Sequence, residues 1–287
     1  MRARQHVIRT PQRGVAIVLA MGVVALAALA ATATMVTQST WSRQIELTAG
    51  HVQAQLIIQA GLDWARAVLS DDRRLNNVDH LGEPWALRLP PMPVDNGSLA
   101  GHIEDQQGKF NLNNLLKNGK VNLAQLAHLR RLLSILALPD ALADALADRI
   151  GADSRPLIDA AELALVRGFD DNVRARLRPF VSALPVFTAV NVNTASPEVI
   201  AAVVDGLGLD DARALVEKRE RAYFRDRTDL LKQLPRGLLV ATEDISFSSD
   251  YFIATTRVTI GGAQARGSAL LARGIAGWPA IVWRKTP

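Results

Sequence analysis

The feature that most constrains this chain is the abrupt change at Gly14, where a basic leader gives way to an apolar run. Four arginines and no acid occur in the first 14 residues, and residues 15–36 carry no charge. A helix of that length can cross a bilayer. The positive-inside bias would hold the N-terminus in the cytoplasm and place the rest of the chain across the membrane. The sequence therefore predicts an exported domain on an apolar helix.

Two other interpretations of this segment stay open. The triplet Ala28-Leu-Ala30 fits a secretory signal peptide cut after Ala30, and an anchor that is never cut also fits the pattern. Retention is favoured because glycine stands at the junction and because the apolar run exceeds the about 7–15 residues of a usual signal peptide. We therefore expect a retained helix that is cleaved at the junction.

The composition limits the function classes. The formal net charge is +5, but four arginines lie in the leader, so the pI of about 9.9 is a poor argument for nucleic-acid binding. The chain has no cysteine, which excludes disulfides, thiolate metal sites and a cysteine nucleophile. An exported domain of this composition must be held together by its core.

The helical pattern continues beyond the apolar run. No proline occurs between Pro11 and Pro84, and apolar residues recur at helical spacing. We predict a helix from residue 15 to about residue 69, with residues 15–36 in the membrane and residues 37–70 as an amphipathic continuation that packs on the globular domain. The predicted apolar stripe consists of Trp41, Ile45, Val52, Leu56, Leu62, Ala65 and Leu69.

The leader, the glycine and the long apolar helix together resemble the N-terminal signal of type IV pilins and of type II secretion pseudopilins. The resemblance implies that a prepilin peptidase reads Arg13, Gly14 and Val15, removes residues 1–14 on the cytoplasmic side and leaves a methylated N-terminus. It further implies a single-pass protein of the bacterial inner membrane whose globular part lies in the periplasm.

One position departs from the pilin-like pattern. Most such subunits carry glutamate five residues after the cut, where it pairs with the N-terminus of the preceding subunit; here that position is Leu19. A glutamate buried there is costly without a partner, so a subunit with none ahead of it has no use for one. Among pseudopilins this resembles the general secretion pathway protein K family, at the filament tip. The partners implied are the other minor pseudopilins, the major pseudopilin, the prepilin peptidase and the inner-membrane secretion platform.

The exported part is predicted to be α+β: a pilin-like long N-terminal helix on a small antiparallel sheet, with a large all-α domain inserted. Residues 71–110 are expected to form a polar loop and a first strand starting near Leu99, and residues 246–287 to form three further strands. Residues 111–245 between them have a helical pattern rich in alanine and leucine. An insertion of this size is tolerated when its ends lie close together.

The inserted domain contains a duplicated helical unit, at about residues 111–168 and 191–234. Phe110-Asn-Leu-Asn113 recurs as Val190-Asn-Val-Asn193, and Asp159-Ala-Ala-Glu-Leu163 recurs as Asp226-Arg-Thr-Asp-Leu230. The spacing between matching segments varies, which indicates duplication with loop changes rather than a solenoid.

The second copy supports an alternative function. Around Gly206-Leu-Gly208 it resembles the helix-hairpin-helix, or SAM-like, module of membrane-anchored DNA receptors, in which the hairpin amides bind a phosphate. Asp205, Asp210 and Asp211 give this hairpin the wrong charge for that role. We therefore expect no nucleic-acid partner.

No catalytic motif is present, and the five histidines are scattered along the chain. Asp140, Asp144 and Asp148 share one helix face, where a solvated surface is favoured over a cation site. We predict a protein that is not an enzyme, with no catalytic residue and no assigned metal site. The family resemblance leaves bound calcium possible, with its ligands unassigned.

Overall fold

The computed structural model describes residues 13–153, 155–238, 240–260, 263–274 and 277–286. The chain divides into two compact units, one up to Gln53 and the other from Ala54 onward. Most of the expected leader, residues 1–12, lies outside the described residues, whereas Gly14 and Val15 belong to the first helix.

The helices are α1 (Arg13–Leu75), α2 (Leu123–Ile135), α3 (Ala141–Asp153), α4 (Asp171–Leu177), α5 (Pro197–Val203), α6 (Leu209–Arg221) and α7 (Arg227–Gln233). Short 3-10 helices cover Pro84–Ala86, Leu112–Leu115 and Ala160–Leu165. The strands are β1 (Leu89–Val94), β2 (Gly97–Asp105), β3 (Phe110–Asn111), β4 (Leu116–Lys117), β5 (Lys120–Val121), β6 (Val181–Ser182), β7 (Val190–Asn191), β8 (Ile245–Ser246), β9 (Tyr251–Ile260), β10 (Ala263–Ala272) and β11 (Ala280–Lys285).

The main sheet is antiparallel, with the strand order β1-β2-β9-β10-β11. Strands β2 and β9 are direct neighbours, and Asp105 at the end of β2 pairs with Phe252 near the start of β9. The helical domain enters after β2 and returns before β9, so its two ends are held together by the sheet. This is the arrangement predicted for an inserted domain.

The C-terminal part of α1 packs on this sheet. Its buried side chains, spaced three and four residues apart, form one stripe: Ala54, Ile58, Leu62, Ala65 and Leu69. Two glycines allow close approach, because a Cβ on Gly61 would lie 2.8 Å from the Thr256 side chain and one on Gly267 would lie 2.2 Å from Ile58 Cγ2.

Several predicted boundaries are wrong in detail. Helix α1 continues to Leu75 rather than ending near residue 70, and β1 occupies Leu89–Val94, where the sequence predicts a loop. The three prolines of β1 make this segment resemble a loop in the sequence. An edge strand tolerates proline because the backbone N–H groups on its outer side have no strand to pair with. Of the predicted stripe only Leu62, Ala65 and Leu69 are buried; the earlier members lie on other faces of the helix or precede the sheet.

The inserted domain has its own core, separate from the core between α1 and the sheet. It is mainly helical, as predicted, but it also contains short two-residue strand pairs that the alanine-rich pattern does not indicate. The parallel pairs β3–β6 and β7–β8 each place one Asn-x-Asn segment beside a residue pair far along the chain. The predicted fold class, α+β with a large helical insertion, is confirmed.

Candidate functional site

The first candidate site is the apolar part of α1. Its segment Ala16–Gln38 has 23 residues and a mean hydropathy of 2.4, so by length and composition it could cross a membrane. None of this window is buried within the chain, and Leu19 is 65% exposed. The hydroxyls of Thr32, Thr34 and Thr37 donate to carbonyls four residues earlier, which satisfies these donors without water.

This exposed surface must be covered by something outside the chain. Burying one large aliphatic side chain is worth about 1.5–3 kcal/mol, and the segment exposes many in succession. Beyond the window, Trp41, Ile45 and Val52 are also exposed and lie within one face of the helix. Lipid suits the apolar window, whereas a one-sided stripe suits a neighbouring helix.

The second candidate site is a buried ionic cluster where the sheet meets the helical domain. Arg273, at the end of β10, has a side chain only 1% exposed. Its Nη1 donates to Asp72 at 2.7 Å, and its Nη2 lies 2.5 Å from both carboxylate oxygens of Asp79. Burial, reinforced by Glu83 and Asp79, raises the pKa of Asp72 to about 6.

Asp105 extends this cluster toward the second helical copy. Its carboxylate accepts hydrogen bonds from Ser249 Oγ at 2.6 Å, Thr194 Oγ1 at 2.5 Å and Asn191 Nδ2 at 3.2 Å. Burial raises the pKa of Asp105 to about 6, against the lowering effect of the Ser249 and Thr194 hydrogen bonds. Asn191 Nδ2 also donates to the Asp79 carbonyl at 3.1 Å. The Asn-x-Asn motif is thus joined directly to the ionic cluster.

The ionic cluster contains three neighbouring carboxylates, as a calcium site would. Asp72, Asp79 and Glu83 offer carboxylate oxygens within 4.8 Å of one another. Arg273 already pairs with both aspartates, and Glu83 accepts from Asn76 Nδ2, the His80 amide and Trp85 Nε1. These oxygens are satisfied by N–H donors, so the cluster fits an arginine and does not fit calcium. Calcium binding remains an expectation without assigned ligands.

The duplicated unit has a repeated hydrogen-bond arrangement, which we call the asparagine clamp. In the first copy, Asn113 Oδ1 accepts from the Leu157 amide and Nδ2 donates to the Leu157 carbonyl, both at 2.8 Å. In the second copy, Asn193 makes the same two bonds to Phe224, both at 2.9 Å. Each clamped residue lies two positions before the aspartate that caps the next helix, Asp159 or Asp226.

Two acids of the hairpin that resembles a DNA-binding module are paired within the chain. Asp205 accepts from Arg131 Nη2 at 2.5 Å, and Arg213 pairs with Asp210 at 2.8 Å. Arg219 points inward, donates to the Val192 carbonyl at 2.6 Å, and has its pKa lowered by burial to about 10. This is the opposite of an unpaired basic stripe that tracks a phosphate backbone.

The ionic cluster is not predictable from the sequence pattern. Asp72 and Asp79 lie in a segment that resembles a polar loop, and Arg273 stands at the end of a strand. The only signal is the Asn-x-Asn repeat, which marks Asn191 without indicating its carboxylate partners. The expected processing residues Arg13, Gly14 and Val15 lie together at the start of α1, and a Cβ added to Gly14 would meet no atom within 4 Å.

A long N-terminal helix, laid on an antiparallel sheet in its second half and exposing an apolar first half, is the architecture of a pilin-like subunit. Models of the type II secretion system protein K family match residues 108–157 and 190–246, the segments that carry the two clamps. Protein K of Pseudomonas aeruginosa is 32% identical over 88% of this chain and 86% of its own length. Protein K of Aeromonas hydrophila is 30% identical over 79% and 82%.

A solved structure has the same fold. A chain of the GspK–GspI–GspJ complex of the type 2 secretion system from enterotoxigenic Escherichia coli superimposes with a TM-score of 0.73 and 23% identity, covering 85% of this chain and 99% of that chain. The chain belongs to the type II secretion system protein K family and is therefore a minor pseudopilin. The family predicted from the junction, the missing glutamate and the repeat is confirmed.

Proposed function

We propose that this chain caps the tip of the periplasmic pseudopilus in a type II secretion system. The observation that carries the proposal is Leu19, an exposed apolar residue where a pilin-like subunit would carry a glutamate for the subunit ahead. With no such glutamate, nothing in the apolar helix requires a subunit above it. The large domain inserted into the sheet supports the same position, because its width is hard to accommodate beneath another subunit.

Assembly is associative rather than catalytic in this proposal. The prepilin peptidase cuts between Gly14 and Val15, and Ala16–Gln38 anchors the chain once in the inner membrane with the globular part in the periplasm. The helix then leaves the lipid to pack on neighbouring pseudopilins. The matched chain of known structure comes from a GspK–GspI–GspJ complex, so the corresponding minor pseudopilins are the proposed partners, with the major pseudopilin below and the inner-membrane platform as the assembly site.

The tip position is tested by Leu19→Glu in the full-length protein, with Leu19→Ala as the matched control. We expect Leu19→Glu to reduce co-purification with the partner minor pseudopilins from membranes and to reduce secretion, because the carboxylate would enter lipid or a helix interface without a partner. Leu19→Ala should retain both. Normal association of the glutamate variant would contradict the role given to Leu19.

Processing is tested by the intact mass and N-terminal sequence of protein purified from its own membranes, with and without the peptidase. A methylated Val15 that appears only with the peptidase is the expected result. Gly14→Ala should be processed, since the chain offers open space there, whereas Gly14→Asp should not. A chain beginning at Ala31, or one that keeps Met1 in the presence of the peptidase, would overturn the processing step.

The DNA-receptor alternative predicts that the protein retards duplex DNA with a steep dependence on salt. The inward Arg219 and the paired hairpin charges favour no nucleic-acid partner. We expect no retardation at physiological salt, and salt-sensitive binding there would revive the alternative.

A further inference from the structure

The sheet face opposite α1 is not covered by a second layer but forms the floor of a cleft. Strand alternation places Ile103, Ala254 and Ala269 toward α1, and their neighbours Glu104, Thr255 and Ser268 toward the cleft. The facing wall is built by the 3-10 helix at Ala160–Leu165, by α4 and by β6. The cleft volume of about 610 Å³ is within the usual range of ligand sites.

The residues that line this cleft carry an excess of positive charge. Three acids in the lining each pair with one cation: Glu104 with Lys109, Asp159 with Lys285 and Asp171 with Arg174. Two further lining cations, Arg178 of the helical wall and Arg266 of the sheet, have no carboxylate partner among the described residues.

A histidine in the floor of the cleft also lies in a positive electrostatic environment. Burial lowers the pKa of His102, and the positive charges of Arg88 and Arg266 lower it further. The lowered pKa favours the neutral imidazole near pH 7, so the excess positive charge of the cleft comes from Arg178 and Arg266.

Hydrogen-bond donors in the same cleft lack acceptors. Within the part of the chain that the structure describes, Ser182 Oγ, Trp283 Nε1 and Arg174 Nε are buried atoms without a partner. All three residues line the cleft, and Ser182 as a whole is only 3% exposed. Unsatisfied buried donors are costly, so their concentration around one cavity indicates a ligand that supplies acceptor oxygens.

The cleft also has features that suit an extended chain rather than a compact anion. Ile253 and Trp283, both half-buried, give it apolar surface beside the cations. It reaches β11, an edge strand of the described sheet that contains no proline. The opposite edge strand β1 contains three prolines, which block pairing with another strand. Only the β11 edge is therefore open to a further strand.

We propose that this cleft binds an extended acidic polypeptide segment, with carboxylates on Arg178 and Arg266 and apolar side chains between them. The proposal goes beyond the tip position and does not depend on it. We assign the segment to another subunit of the machine, because the matched chain of known structure comes from a complex of such subunits.

The binding test uses full-length protein in detergent and a fluorescein-labelled peptide in which leucine and glutamate alternate. We expect saturable binding, weakened at least about tenfold by the double variant Arg178→Gln and Arg266→Gln, because two charge-assisted hydrogen bonds are lost. The double variant Arg213→Gln and Arg225→Gln removes the same charge outside the cleft and should bind normally. Equal affinity of the two double variants would overturn the proposal.

Two further arms define the ligand. The counterpart peptide with glutamine in place of glutamate should bind at least about tenfold more weakly, and inorganic phosphate should compete poorly; equal binding of the glutamine peptide or efficient competition by phosphate would overturn the peptide assignment. A photo-crosslinking residue at the exposed wall position Ala175, in cells with and without the partner pseudopilins, then separates the sources. An adduct that requires those partners supports a subunit as the source, and one that persists without them and has the mass of an exported protein would overturn that assignment.

Discussion

The two copies of the helical unit share one asparagine and differ in the use of the other. Asn113 clamps Leu157 and Asn193 clamps Phe224, each within its own copy, and Asn113 Nδ2 also donates to the Leu184 carbonyl. Asn111, by contrast, donates to Val186 and Thr188 in the segment between the copies, whereas Asn191 donates to Asp79, Asp105 and Ser249 at the sheet.

This difference shows that the motif has an internal and an external part. The second asparagine closes the unit in both copies, while the first connects the unit to whatever lies next to it. Of these two first asparagines, Asn191 is the one bonded to the ionic cluster. The second copy should therefore respond to changes in the ionic cluster, and the first should not.

The largest expected effect comes from Arg273→Met, which removes the cation between Asp72 and Asp79. Breaking a buried ion pair in this way costs about 3–5 kcal/mol, measured as the free energy of unfolding in urea by tryptophan fluorescence, since Trp85 is buried beside the sheet. Arg257→Met, at an exposed position on β9, should change stability by less than about 0.5 kcal/mol. Equal stability of the two variants would mean that the cluster does not hold the second copy.

The clamps predict a parallel pair of effects. Asn113→Ala and Asn193→Ala each leave a buried amide and a buried carbonyl unpaired, at about 1–3 kcal/mol per group, and Asn113→Ala also removes the donor to the Leu184 carbonyl. Amide exchange should accelerate around Leu157 in the first variant and around Phe224 in the second, by roughly 30-fold for 2 kcal/mol. Asn122→Ala is the control, because that side chain makes no capping bond. Acceleration in both copies from either variant would show that the clamps are not independent.

The pH dependence of the free energy of unfolding should come in part from Asp105, which accepts from Asn191 of the second copy. Because the folded pKa of Asp105 is about 6, above its ordinary value of 3.8, the folded state binds the proton more tightly. The resulting stabilisation is present in full below about pH 4 and is lost as the pH rises through about 6, with a magnitude on the order of 2–3 kcal/mol. Asp105→Asn should reduce this dependence in unfolding measured between about pH 4 and pH 7. A slope identical to that of the wild type would exclude Asp105 as its source.

The smallest effects are expected in the two hairpins. The first copy places Ala137 at φ +50, where the second has Gly206 at φ +79. Ala137→Gly should stabilise by about 0.5–1 kcal/mol because an L side chain is strained there. Gly206→Ala should destabilise by about 1–2 kcal/mol, and its Cβ would also lie 3.0 Å from Leu238 Cδ2. Thermal unfolding midpoints give both signs, and shifts in the same direction would contradict the equivalence of the hairpins.

The sequence predicts the order of the elements well and their partners poorly. The continuous α1 and the β-branched run of β9 can be predicted because each keeps a single hydrophobic period along its length. Strand β1 escapes prediction because its prolines resemble a loop, and the stripe of α1 is misplaced because Val52 and Leu56 have helical spacing but an exposed face. Spacing indicates that a face exists, without indicating whether the chain itself covers it.

The sequence by itself determined the apolar helix, the duplication and the family, and it predicts a processing junction at Gly14 and a missing acid at Leu19, since these are properties of residues near one another along the chain. Only the tertiary structure decided that Asp72, Asp79, Asp105 and Arg273 meet, and that two unpaired arginines face one cleft. Buried charges are tolerated only where distant segments neutralise one another, and a linear pattern does not contain those distances.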